Sequence, residues 1–232
     1  MKKLNNFNVD EVMEKLSAKR PIFHNERDFQ FELAWLMKNT YECEIRLEYY
    51  YKTDVNGKRR YIDLIAYDDN YCIAFELKYK TKKYCKKVND ELYDLKEQGA
   101  HDWGCTYVLS DLKRLEELVC SQNPKINMTI NKGYVIFITN DTKYTEKEFR
   151  KGSIYENFSL NQKRIIEANQ TLSFNINNKD ISKTSAKPFK DIDFKYSNSY
   201  QVDWKDYNKL PGKAKAYYLV FEIKGGNTDD KH

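Results

Sequence analysis

Three charged residues interrupt two short runs that otherwise read as β-strand, and no other feature restricts the fold as strongly. Tyr61-Ile62-Asp63-Leu64-Ile65-Ala66-Tyr67 and Tyr71-Cys72-Ile73-Ala74-Phe75-Glu76-Leu77-Lys78 are rich in β-branched and aromatic residues, with Asp68-Asp69-Asn70 between them. A polar Asp/Asn turn joining two such runs predicts a β-hairpin. Side chains alternate faces along a strand, so Glu76 and Lys78 share one face and Leu77 takes the other. A tight turn at Asp69-Asn70 pairs Asp68 with Tyr71 and Tyr67 with Cys72, which sets Asp63 directly across from Glu76. An odd-length loop would send Asp63 to the opposite face. The even loop is expected, and it gathers two carboxylates and one ammonium on a single patch. Two close carboxylates repel unless a cation lies between them or one takes up a proton. Hard oxygen ligands in that arrangement suit Mg²⁺.

An Asp on one strand and Glu-X-Lys on the next form the signature of the PD-(D/E)XK nuclease superfamily, and Asp63 with Glu76-Leu77-Lys78 resembles it. Ile62 stands where many members carry a Pro. A second triplet, Glu222-Ile223-Lys224, has no tight-turn hairpin before it and reads as a decoy. The resemblance implies an α/β, restriction-endonuclease-like core: a mixed central β-sheet with an antiparallel meander, flanked by helices. It also implies Asp63, Glu76 and the Leu77 carbonyl as ligands of Mg²⁺, with Mn²⁺ able to substitute. Lys78 would orient or activate the attacking water and stabilise negative charge, leaving 5′-phosphate and 3′-hydroxyl products.

A helix predicted from the capping Asn25 to Asn39 carries Phe29, Leu33, Leu36 and Met37 at helical spacing. At steps of about 100° per residue, Glu26 falls within the arc of Phe29, Leu33 and Met37, Gln30 lies at its edge, and Glu32 lies off it, hence exposed. A carboxylate on a buried stripe needs a reason. Glu26-Arg27-Asp28-Phe29 resembles the E-R-x-[LF] start of the Holliday-junction-resolvase branch, which implies that Glu26 is a catalytic acid helping to place water or a second ion. The plain structural reading is a first-turn acid favoured by the helix dipole.

Around these motifs the pattern predicts an amphipathic helix from Asn8 to Lys19, ended by Arg20-Pro21. A strand over 44–52 follows, joined through Asn56-Gly57 to strands over 59–67 and 71–79 in a three-stranded antiparallel meander. Val88, Leu92 and Leu95 predict a helix ending near Gly99, and Cys105–Leu109 a short strand. Ser110 is expected to cap a helix from Asp111 to Cys120 with Leu112, Leu115, Leu118 and Val119 inward. Gly133–Thr139 reads as a central strand buried on both faces, reached by a helical crossover. His101 has no partner at metal-ligand spacing and is read as structural or solvent-exposed. Between Asp141 and Lys213 the signal weakens, with a helix over 159–170 and a long loop over 175–190. Ala216–Phe221 is a strand completing the sheet. The expected organisation is one nuclease-like domain over 1–232, with 141–213 an insertion or peripheral subregion.

With 232 residues, 41% hydrophobic and 32% charged, the chain can bury a core but offers no membrane span. Its formal charge of +5 says less than the placement of its cations. Arg59 and Arg60 lead into the hairpin, while Lys80, Lys82 and Lys83 follow it. These five are read as nucleic-acid contacts rather than ordinary solvated cations. The five cysteines lack a C-x-x-C pair and the N-terminus lacks an apolar run, so a reducing cytoplasm is expected. There is no G-x-S-x-G, Walker-type, H-E-x-x-H or dinucleotide fingerprint. The functional expectation is a Mg²⁺-dependent nuclease hydrolysing phosphodiester bonds, with DNA favoured over RNA as partner. A homodimer would serve the cutting of two strands. The alternative is a catalytically inactive nucleic-acid-binding or assembly module on the same fold.

Overall fold

The first two helices each begin on an asparagine whose side chain takes up a free backbone N–H. In the computed structural model, which describes residues 1–53, 57, 59–120 and 129–225, Asn8 accepts from the Glu11 N–H at the head of α1 (Val9–Lys19). Asn25 accepts from the Asp28 N–H at the head of α2 (Glu26–Thr40). Both follow the capping pattern of the sequence. Glu32 departs from expectation, because Arg20 lies across that face of α2. Its carboxylate is buried beneath Lys19 and Arg20, at 3.0 and 3.1 Å.

The meander forms as predicted, from β1 (Glu44–Thr53), β2 (Arg59–Tyr67) and β3 (Cys72–Lys80), each antiparallel to its neighbour. Of the Asn56-Gly57 turn, Asn56 lies outside the described residues and Gly57 has a φ of +76°. The helix expected after the lysines is instead a separate hairpin, β4 (Tyr84–Val88) with β5 (Glu91–Leu95). Asn89 and Asp90 link them at φ of +50° and +66°, the two left-handed residues of a type I′ turn. Val88, Leu92 and Leu95 therefore share a helical spacing by coincidence. Since glycine occupies that second turn position with less strain, Asp90→Gly should raise stability by about 0.5 kcal/mol and Asp90→Val lower it by about 1 kcal/mol or more in urea unfolding.

Cys105–Leu109 is not a strand, and Ser110 is no cap. Both lie inside one 20-residue helix, α3 (His101–Cys120). Gly104 permits this helix to pack: a Cβ there would lie 2.5 Å from the Tyr144 hydroxyl. After α3 the chain enters β6 (Lys132–Thr139), parallel to β3, so α3 is the crossover between them. β7 (Lys205–Leu210) and β8 (Ala214–Lys224) extend the sheet, whose order is β7-β8-β6-β3-β2-β1. The fold is thus α/β, with a mixed six-stranded central sheet between helices.

Alternation along β3 divides the core. Ile73, Phe75, Leu77 and Tyr79 pack with α1 and α2, whereas Cys72 and Ala74 face α3 and the segment between β6 and β7. That segment has no helix over 159–170. Lys163 takes a φ of +68°, and Lys163 and Arg164 instead exchange backbone bonds with Val202. The final apolar run becomes β8, though β7 rather than β8 forms the sheet edge. No described helix is long and apolar enough to cross a membrane.

Candidate active site

The ladder between β2 and β3 stops just where its charged residues begin. Asp68 donates its N–H to the Tyr71 carbonyl, and pairing then runs from Tyr67–Cys72 to Leu64–Phe75, the register expected from an even loop. Continued one step, that register sets Asp63 opposite Glu76. In an alternating antiparallel ladder, the next N–H from β3 would go to the Ile62 carbonyl. Instead the Leu77 N–H donates to the Asp63 carboxylate at 2.6 Å. Two residues on, the Tyr79 N–H donates to Glu26 at 2.8 Å. Two carboxylates thus cap the side of β3 that β2 has left. The Leu77 carbonyl faces that side too, because the N–H and C=O of a strand residue point together.

Neighbouring elements hold this fork open. Glu48 of β1 has a φ of +49° and drops out of the pairing between Leu47–Leu64 and Tyr49–Ile62. Gln30 of α2 ties the kink to the site, donating to the Asp63 carbonyl at 2.6 Å and to Glu48 at 3.2 Å. On the other face, α3 brings Asp111 and Arg114. The Arg114 Nη2 lies 2.6 Å from Glu76 Oε2 and 3.0 Å from Asp111 Oδ1. Lys78 Nζ lies 3.3 Å from Asp111 Oδ2 and 4.0 Å from Glu26 Oε1.

Electrostatics follow from burial. Desolvation pushes Asp63 from 3.8 to about 6, against the pull of the Leu77 N–H and with the charge of Asp111 adding to it. Burial also raises Glu76 well above the carboxylate range; Arg114 opposes that shift, while Asp63 and Asp111 reinforce it. Desolvation works against the charge on Lys78, but Asp111 and Glu26 outweigh it and raise its pKa. Lys78 is therefore a fixed ammonium. It is suited to stabilising negative charge and orienting a nucleophile, not to accepting a proton.

Among the described residues, no group of three His, Cys, Asp or Glu side chains gathers closely enough to hold an ion by itself. Mg²⁺ asks for less, since one or two carboxylates commonly suffice and water and phosphate oxygens complete the shell. Glu76 Oε1, the Tyr51 hydroxyl and Arg114 Nε are buried without hydrogen-bond partners. Tyr51 is drawn into the same cluster, with Arg114, Glu76 and Asp111 all acting on its hydroxyl. Four carboxylates, Glu26, Asp63, Glu76 and Asp111, crowd around Lys78 and Arg114 here, with Lys80 acting on Glu26 and Arg60 on Tyr51 at the margin, so the centre of the cluster is rich in negative charge. A divalent cation at Asp63, Glu76 and the Leu77 carbonyl fits both the unpartnered oxygen and that charge.

Glu26, Asp63, Glu76 and Lys78 therefore meet in one cluster. Lys80 lies beyond them, lining a cleft of about 590 Å³ with Glu26, Arg27 and Lys96. Arg59 is exposed and Arg60 half-buried at the start of β2, with Arg60 among the charges acting on Tyr51. Lys82 and Lys83 are exposed on the link from β3 to β4. Glu222 stands apart on β8, bonded to the Tyr134 hydroxyl at 3.2 Å and paired with Lys132. His101 is a structural residue, 2.7 Å from Asp141. Sequence reasoning missed Tyr51, Asp111 and Arg114. Asp111 did carry a signal, because Val108, Asp111, Leu115 and Leu118 fall at helical spacing on one stripe. No protein-family model, curated protein or solved structure matches the chain.

Proposed function

We propose that the chain is a metal-dependent nuclease of the PD-(D/E)XK type, on a restriction-endonuclease-like core, hydrolysing phosphodiester bonds with DNA preferred over RNA. One observation carries the reading: at the fork of β2 and β3, Asp63 caps the Leu77 N–H while Glu76 and Lys78 project from the strand beside it. Asp63, Glu76 and the Leu77 carbonyl would hold Mg²⁺, or Mn²⁺ in its place. When bound, the ion polarises the phosphate and lowers the pKa of water. Glu26, 44% exposed at the mouth of the cleft, orients the attacking water. The Lys78 ammonium, already fixed by Asp111, stabilises the negative charge that develops on the phosphate. Arg59, Arg60, Lys80, Lys82 and Lys83 would follow the nucleic-acid backbone. The free thiols Cys43, Cys72, Cys85 and Cys105 suit a reducing, cytoplasmic setting.

The test is cleavage of labelled linear, circular and branched DNA, and of RNA, with Mg²⁺ or Mn²⁺, by the wild type beside Glu76→Ala and Lys78→Ala. Metal-dependent cutting by the wild type, lost in both variants, is the expected result. The ion pair between Arg114 and Glu76 lends weight to a second reading, a nucleic-acid-binding module whose carboxylate is already neutralised. Binding of nucleic acid without cutting, by folded wild type at saturating metal, would decide for that module.

A further inference from the structure

Arg114 stands where a metal ligand should be free. Its Nη2 bridges Glu76 and Asp111, at 2.6 and 3.0 Å, yet the other oxygen of Glu76 and the Nε of Arg114 are buried without partners. A guanidinium placed for good would be expected to use its fork, giving two parallel bonds to one carboxylate. Here a single nitrogen is shared between two acids. Glu76 is 1% exposed, whereas the Arg114 side chain keeps 24% of its surface in solvent. One partner is held in the sheet, and the other, on α3, reaches solvent with part of its side chain.

We propose that Arg114 is a displaceable counter-cation that holds Glu76 while the site is metal-free and competes with the divalent ion for that carboxylate. This rests on the nuclease reading and adds a control to it. Whenever the buried glutamate is ionised it is paired, either with the guanidinium or with the ion. Metal affinity is thereby set lower than the carboxylates alone would give. Lys78 has no such role, since its contacts are with Asp111 and Glu26.

The experiment is Mn²⁺ binding to the full chain, read by electron paramagnetic resonance of the free ion, for wild type, Arg114→Gln, Lys78→Gln and Glu76→Gln. Arg114→Gln should tighten Mn²⁺ binding about tenfold or more, Lys78→Gln clearly less, and Glu76→Gln should abolish it. Unchanged or weaker binding by Arg114→Gln overturns the proposal, and so does equal tightening by Lys78→Gln, which would reduce the effect to net charge. Should Arg114→Gln fail to fold, the wild type still decides through the Arg114 Nε–H resonance, assigned by its loss in Arg114→Lys. It should shift as Mg²⁺ saturates the site, and an unmoved resonance refutes displacement. Failure of the broader reading looks different: wild type and Arg114→Gln would then both lack Mn²⁺ binding and cleavage, whereas metal-dependent cutting with unaltered affinity in Arg114→Gln sinks only the counter-cation.

Discussion

Asp63→Asn is expected to lower cleavage by about 10²–10³-fold while making the metal-free protein more stable at pH 8. The two effects have one cause. The Asp63 carboxyl is half-buried and faces Glu26, Glu76 and Asp111 as well as Lys78, and its pKa rises to about 6. A carboxyl that holds its proton more tightly in the folded chain than in the unfolded one destabilises the fold wherever both states are ionised. That penalty is full above pH 6, shrinks as pH falls through 6, and is gone near 4. By linkage its ceiling is about 3 kcal/mol, or about 5–10 °C in melting temperature for a chain of this size. Asparagine can still accept from the Leu77 N–H but carries no charge. The gain should therefore be present at pH 8 in EDTA and absent near pH 4, and saturating Mg²⁺ should reverse the order by stabilising only the wild type. Melting curves at the two pH values check this, and a variant that loses activity and stability together at pH 8 would reduce Asp63 to a structural role.

How much of this could be read beforehand depended on whether the signal was local. The register of the acidic hairpin was legible because side-chain alternation and a two-residue turn leave few options once Tyr67 faces Cys72. The caps at Asn8 and Asn25 and the apolar run of β6 are local signals of the same kind. Most of the errors arose where a distant partner decided. Thr106, Tyr107 and Val108 favour strand by propensity, yet they are helical inside α3, which packs its apolar face on the sheet and meets Tyr144 closely at Gly104. At Val88 the mistake was to weigh a helical period above the Asn89-Asp90 pair, itself a hairpin signal. Glu32 seemed exposed only because nothing in α2 says that Arg20 will lie over it. Arg114 was out of reach for the same reason, since its partner Glu76 lies not on α3 but on the distant strand β3.

The position of α3 also depends on a segment that contributes nothing to the central sheet, and Glu116 tests that dependence. Its carboxylate, 1% exposed, accepts from the backbone N–H groups of Ser197 and Asn198 at 2.9 and 3.0 Å, from the Asn198 amide, and from the Tyr200 hydroxyl at 2.8 Å. These donors sit just before β7, so one side chain fastens the stretch between β6 and β7 to the helix that carries Asp111 and Arg114. Removing the acceptor strands several buried donors, each worth about 1–3 kcal/mol, some of which water can recover. Glu116→Ala should therefore cost about 4 kcal/mol and lower the melting temperature by about 10 °C, with Glu116→Gln losing less than half as much. Limited proteolysis should cut the variant first within 159–204, before the sheet. If the seat of α3 positions Arg114, Mn²⁺ binding by the still-folded variant should shift as well. A melting temperature within about 2 °C of wild type would mean that apolar packing, through Tyr196, Phe194 and Phe189, holds α3 without the carboxylate.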